Sequence, residues 1–234
     1  TAVYKRTPAL LVPMQTGGAL PAFFCAPGQF GNPLNFRALA RLLGEDQPFY
    51  GLQHRGVEGD HMPFTSISDM AAHALAEIVE LQPRGPYYLG GYSGGGLVAF
   101  EMAQQLRAAG ERVGALVLLD APAPVLPERP LRDRLRLHYE RALERGVGPY
   151  LTQIVSERVG GLVSKAKMPL VFALAERSAV VRYRYREDTA VGAWGRAAGE
   201  YRPSVYAGDV MVFRAESEIS GGAKDRKSTR LNSS

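Results

Sequence analysis

Five glycines and one serine crowd into the eight residues Leu89-Gly90-Gly91-Tyr92-Ser93-Gly94-Gly95-Gly96. Within them, Gly91-x-Ser93-x-Gly95 has the spacing of a nucleophile elbow, a sharp strand-to-helix turn with serine at its tip. Such a turn strains the serine backbone. It leaves no room for side chains two residues before and two after, hence Gly91 and Gly95. It lifts Oγ clear of the strand, and the following helix turns its N-terminal dipole toward any anion that forms there. The chemistry this pattern suits is acyl transfer through a serine ester.

That chemistry needs a base for the serine proton, an acid to orient the base, and amide donors for the oxyanion. The expected donors are the amide of Gly94, next after the serine, and one from Pro27-Gly28-Gln29-Phe30-Gly31, where two glycines permit close backbone approach. Asp120 follows the apolar run Leu116–Leu119 and is a candidate acid. Glu216 and Glu218, after the later run Val210–Phe213, are alternatives. A histidine base should follow that last run, and none does. His54 and His61 fall after Phe49–Gln53, His73 lies inside a helical run and His138 in an arginine-rich stretch. Each reads as an ordinary surface or helix histidine.

Glycine-rich turns have other uses. A phosphate-cradling P-loop needs a lysine that is absent here. Gly94-x-Gly96-x-x-Ala99, with Asp120 24 residues past Gly96, approaches a dinucleotide fingerprint. Its glycines fall inside the predicted helix instead of the turn, so a dinucleotide-binding oxidoreductase is the weaker alternative.

For Ser93 to stand at an elbow, a strand must precede it and a helix follow. Tyr87–Gly90 supplies the strand and Leu97–Ala109 the helix, which Gly110 ends. Upstream, Leu10–Met14 and Ala22–Ala26 flank Gly17-Gly18 and read as a hairpin. Leu34–Leu43 reads as a helix with Phe36, Leu39, Leu42 and Leu43 on one side, and Phe49–Gln53 as a short strand. Ser66–Leu81 reads as a helix opened by Ser66 and Asp69 in capping-box form, with Ile67, Met70, Ala74, Ile78 and Leu81 as its apolar set. Ala115–Leu119 is purely apolar and is expected to be buried on both faces.

This alternation predicts an α/β fold: a mostly parallel sheet with right-handed crossovers, an N-terminal hairpin, and ligands at the carboxyl ends of the strands. After Asp120 come Pro122, Pro124, Pro127 and Pro130, then arginine-rich helical segments at Leu131–Arg145 and Val180–Asp188. A strand returns only at Val210–Phe213. Roughly 90 residues between two core strands is too long for a plain loop. Residues 121–205 are therefore read as a helical lid over the strand ends.

Composition narrows the class. With 234 residues, 46% apolar and 22% charged, the chain suits one α/β domain with a full core. No apolar run of about 18 residues is present, so no membrane helix is expected. The lone Cys25 excludes a disulfide framework and a Cys-cluster zinc site, and the four histidines lack ligand spacing, so no metal is expected. The net charge of +5 invites a nucleic-acid reading. However, Lys224, Arg226, Lys227 and Arg230 against Asp225 place three of those charges in the last eleven residues. The scattered remainder is no nucleic-acid footprint. Residues 220–234 are small, polar and basic, and read as a disordered or non-native tail to a domain at 1–219. The chain begins Thr-Ala-Val without a signal peptide, which suggests a piece of a longer cytoplasmic polypeptide.

Residues 10–215 resemble the type I thioesterase domain of polyketide synthases and non-ribosomal peptide synthetases, in the α/β-hydrolase superfamily. The stretches LVPMQTGGALPAFFCAPG, QPFYGLQHRG, QPRGPYYLGGYSGGGLVAFEMAQQL, ALVLLDAP and VMVFRA carry the likeness in order and spacing. The resemblance implies the α/β-hydrolase fold. It implies Ser93 as nucleophile and Asp120, after the next strand, as acid. It implies oxyanion donors at Gly94 and at Gln29 or its neighbour Gly28. The implied reaction releases an acyl or peptidyl chain, by hydrolysis or cyclisation, from a phosphopantetheine thioester. The implied partner is an acyl or peptidyl carrier protein, usually in the same polypeptide; no bound cofactor, nucleic acid or membrane takes part. In that family a catalytic histidine follows the strand matching Val210–Phe213. This chain instead runs from Arg214-Ala215 into the basic tail, so truncation and loss of the base are expected. A carrier-binding or acyl-binding domain without catalysis is the alternative left open by that departure.

Overall fold

The computed structural model describes residues 10–121 and 146–215 and, between them, Arg132, Arg136, Tyr139 and Leu143. His138, Glu216, Glu218 and the basic tail lie outside the described residues. Six strands form one sheet: β1 (Leu11–Gln15), β2 (Phe23–Ala26), β3 (Phe49–Leu52), β4 (Tyr87–Tyr92), β5 (Val113–Leu119) and β6 (Met211–Phe213). Their order is β1-β3-β2-β4-β5-β6. Every neighbouring pair is parallel except β1 with β3.

The expected N-terminal hairpin is not formed, because β3 lies between β1 and β2. The cause is the character of β2. Phe24, Cys25 and Ala26 are fully buried, and an unbroken apolar run belongs inside a sheet with a strand on each side. The linker after β1 docks on the approach to β3 instead of closing on itself. The amide of Ala19 donates to Asp46 Oδ1 (3.0 Å) and that of Leu20 to the Asp46 carbonyl (3.2 Å).

One face of the sheet carries α2 (Ile67–Leu81) and α3 (Gly95–Ala108). Phe24, Ala26, Leu89, Leu116 and Leu118 alternate onto this face and pack on Ile67, Ala74 and Ile78 of α2 and on the buried side of α3. Each large side chain so buried contributes about 1.5–3 kcal/mol. Ser66 caps α2, its Oγ accepting from the Asp69 amide at 3.2 Å. Leu81, expected in the apolar set, is 48% exposed at the end of the helix.

The other face is covered by a 3-10 turn (Pro33–Phe36) running into α1 (Arg37–Leu42). Phe36 and Ala40 meet Cys25 and Phe49 there, whereas Leu42 and Leu43 are exposed. Burial of β5 on both faces is not reached. Leu116 and Leu118 are buried, but Val113, Ala115, Val117 and Leu119 are half-buried.

Between β5 and β6 the described residues are helical at Arg132, Arg136, Tyr139 and Leu143, then in α4 (Val147–Arg177), α5 (Ala179–Arg184) and α6 (Arg186–Glu200), after which residues 201–210 are neither helix nor strand. The helix expected over Val180–Asp188 is broken at Tyr185 into α5 and α6. The chain then returns as β6, parallel to β5, with Val117 opposite Met211. No helix among the described residues is long and apolar enough to cross a membrane.

Strand order positions the chemistry. From β2 the chain steps outward to β3, then jumps back across β2 to β4. The crevice at the carboxyl ends of β2 and β4 is therefore the topological switch point, where ligands bind in open α/β sheets. Ala26 stands opposite Gly91 at that crevice.

Candidate active site

β4 ends at Tyr92, and Ser93 turns the chain sharply. Its φ is 49°, in the left-handed region that non-glycine residues seldom enter. α3 begins two residues later, with Gly94 as its N-cap. The flanking glycines are compelled by packing. A Cβ on Gly91 would collide with the Gly95 carbonyl and lie 2.6 Å from the Gly96 nitrogen. One on Gly95 would collide with the carbonyl oxygens of Ala26 and Pro27. One on Gly96 would collide with Cβ of Ala121. The two glycines of the dinucleotide-like spacing thus sit at the cap and inside α3, and Gly96 fits α3 against the end of β5.

Only one other non-glycine residue among those described has a positive φ. It is Asp120, at 45°. The two are neighbours in the hydrogen-bond pattern. The Ser93 amide donates to the carbonyl of Leu119 (2.9 Å), the residue before Asp120, and the Asp120 amide donates to the carbonyl of Phe213 (2.7 Å). Ser93 is half-buried, and Asp120 is exposed at the strand end.

The loop after β2 reaches the same place. A Cβ on Gly28 would lie 3.6 Å from Ser93 Cβ and 3.7 Å from the Tyr92 ring. The chain turns there, the Gly31 amide donating to the Gly28 carbonyl (2.8 Å). Gln29 lies within this turn. Gly28, the neighbour of Gln29, is brought against the serine.

The histidines are placed by different contacts. His54 backs onto the turn, its amide donating to the Gly31 carbonyl (3.0 Å). Burial lowers its pKa from the ordinary value to about 4, and its Nε2 is buried without a partner. His61 pairs with its neighbour Asp60 at 2.8 Å. The His73 ring lies tilted against that of Phe64, with centroids 5.1 Å apart.

The helices between β5 and β6 supply a residue that periodicity does not single out. Trp194, the chain's one tryptophan, comes from α6 and lies against Gly94. A Cβ on Gly94 would collide with Cζ2 and lie 2.6 Å from Cε2 and 3.0 Å from Nε1 of that indole. The far end of α6 is tied to α3. Tyr201 Oη donates to Glu101 Oε2 (2.7 Å), and Gln104 Nε2 donates to the Ser204 carbonyl (2.8 Å). A surface cavity of about 360 Å³ beside these tethers is lined by residues such as Ser66, Glu101 and Tyr201. Ser93, Asp120 and Gly28 are not among its lining residues.

Comparison with known proteins places the chain among relatives. Residues 21–158 match the family model of the thioesterase domain. Over 152 residues the chain is 41% identical to indigoidine synthase of Dickeya dadantii (strain 3937), covering 65% of this chain and 10% of that protein. Over 214 residues it is 35% identical to the dimodular nonribosomal peptide synthase of Bacillus subtilis (strain 168), covering 88% of this chain and 9% of that protein. The chain thus spans 10% or less of the length of these two relatives. Among solved structures, holo-AB3403, a four-domain nonribosomal peptide synthetase bound to AMP and glycine, aligns with a TM-score of 0.62 at 26% identity, over 92% of this chain and 17% of that one. The NocB thioesterase domain in covalent complex with a fluorophosphonate nocardicin G analog aligns with a TM-score of 0.55 at 25% identity, over 83% and 73%.

Proposed function

The chain belongs to the thioesterase-domain family, and from that premise we propose that it releases an acyl or peptidyl chain from a carrier protein's phosphopantetheine thioester through an ester on Ser93. The observation that carries the reading is the pair of left-handed residues, Ser93 and Asp120, at the ends of adjacent strands and linked through Leu119. Backbone strain of this kind collects where a side chain must be aimed.

In the proposed reaction a base removes the Ser93 hydroxyl proton as Oγ adds to the thioester carbonyl. The amide of Gly94 and one from the Gly28–Gln29 turn stabilise the oxyanion. The C–S bond breaks and the thiolate leaves, taking a proton as free pantetheine thiol. Water, or a nucleophile within the chain itself, then displaces Ser93 and gives the acid or the ring. Asp120 orients a histidine in this scheme. No histidine follows Phe213 in this sequence. A serine hydroxyl without a base is a poor nucleophile near neutral pH, so this chain is expected to acylate slowly and to respond to a base supplied from outside.

The test follows from that. The chain is incubated with an acyl-pantetheine thioester, with and without imidazole, and the peptide containing Ser93 is weighed by mass spectrometry. An acyl adduct on Ser93 that forms faster with imidazole and is lost in Ser93→Ala supports the reading. Folded protein with no adduct under either condition, or an adduct that survives Ser93→Ala, overturns it.

A further inference from the structure

Trp194 lies beside the elbow but is not part of the elbow, the acid or the oxyanion donors. Its indole edge lies against Gly94, the residue after Ser93. Its Nε1 is buried and has no hydrogen-bond partner. An indole nitrogen can only donate, and native proteins rarely leave a buried donor unmet. The other two such side-chain atoms among the described residues, on His54 and Arg55, belong to the segment after β3.

The placement of the indole is held by its own helix. Ala193 and Ala197 on either side are buried. Tyr201, just past the end of α6, is tied to Glu101. Gly192 admits Met168 and Phe172 of α4 close to α6. Trp194 itself packs against the apolar core cluster that includes Ala197, and a hydrogen bond in apolar surroundings is stronger than in water. This edge stands at the residue that follows Ser93 in the turn.

Resting on the thioesterase reading, we propose that Trp194 is a specificity-determining residue that walls the acyl side of the Ser93 turn. Its Nε1–H donates to an acceptor on the bound chain and favours a peptidyl chain, rich in amide carbonyls, over a plain alkanoyl chain. The reacting carbonyl faces the backbone amides, so the acceptor is the next carbonyl along.

Because Trp194 is the chain's only tryptophan, its emission reports on it alone. In the Ser93→Ala background, which prevents acylation, the full chain is titrated with an N-acetyl-dipeptidyl pantetheine thioester and with an alkanoyl pantetheine thioester of equal length. Emission and calorimetry are followed in parallel. The expected result is a saturable emission change with both, with the dipeptidyl ligand bound roughly 3- to 10-fold more tightly, the worth of one net hydrogen bond. Trp194→Phe, followed by calorimetry, should abolish that preference. Replacing the residue with benzothienylalanine, which keeps the shape and puts sulfur in place of N–H, should do the same if Trp194→Phe fails to fold. Binding without an emission change, or a preference that survives loss of the N–H, overturns the proposal and leaves the thioesterase reading standing. Absence of calorimetric binding for both ligands overturns the two together.

Discussion

Ser93 and its glycines form a site that packing prescribes atom by atom. The Cβ that alanine would add at Gly95 would meet the backbone carbonyls of Ala26 and Pro27 first, and backbone gives little. Gly95→Ala should cost about 1–3 kcal/mol or more. Gly17→Ala, at a position with open space, should stay within about 0.5 kcal/mol. Chemical denaturation of the two variants checks this. The strain at Ser93 should also be measurable. Ser93→Gly should raise stability by about 1 kcal/mol while ending adduct formation; an unchanged or lower Tm would mean that the turn stores no strain. His54 makes a third prediction. Its folded pKa of about 4 lies below the ordinary 6.5, so the neutral form is favoured on folding. The stability it supports is present above pH 6.5 and is lost as pH falls from there toward 4, by on the order of 2–3 kcal/mol. Denaturation of His54→Gln across pH 4–7 should show a flatter profile than the parent chain. The elbow is readable in the sequence because its constraints are local: a strand, a tight turn, a helix, and no room for Cβ. The place of Trp194 is not, since it depends on a helix far along the chain, between β5 and β6, folding back onto Gly94.

Among the elements, too, local causes are legible and distant ones are not. The capped helix α2, the strand β4 and the helix α3 can be read because cap, period and glycine stop agree. The hairpin expectation fails although Gly17-Gly18 between two apolar runs is a genuine hairpin signal. It loses to the need of the apolar β2 for a neighbour on both sides. Helix α4 gives no clear periodic signal; among its described side chains Leu151, Val155, Leu162 and Leu170 are exposed, whereas Tyr150 and Ala175 are buried. A prediction at this scale concerns the tie between α6 and α3. Burial and the bond to Glu101 push the Tyr201 hydroxyl well above the ordinary tyrosine value, so it stays a neutral donor throughout the physiological range. Tyr201→Phe removes the donor to a carboxylate and should cost about 1–3 kcal/mol. Amide exchange across α6 should quicken more than across α2. Equal protection in the two helices would show that the tie does not hold α6.

For the whole molecule, the scattered positive charge becomes testable. Arg132 and Arg136 are exposed and helical beyond β5, four residues apart, and so lie on one side of that helix. If this side receives an acidic carrier protein, Arg132→Glu with Arg136→Glu should weaken carrier binding several-fold, and added salt should weaken the unaltered complex. Affinity that ignores both changes would leave the arginines as a solvated face. The mostly parallel sheet is legible from the alternation of apolar runs. Which strand flanks which is not, because order in a sheet is settled by contacts far apart in the chain.

One backbone detail carries further than the site it was found in. Ser93 hangs by its amide from the end of β5, and Asp120 hangs by its amide from the end of β6. Alignment is therefore passed outward from strand to strand, as a mason sets each course from the one beside it. The last course is β6, three residues long, with Met211, Val212 and Phe213 each about half exposed. The aim of the carboxylate can be no truer than that margin. If Asp120 is the acid, as proposed, side chains at Met211–Phe213 acquire a stake in the chemistry, and wear at the rim of the sheet would be felt at its working edge.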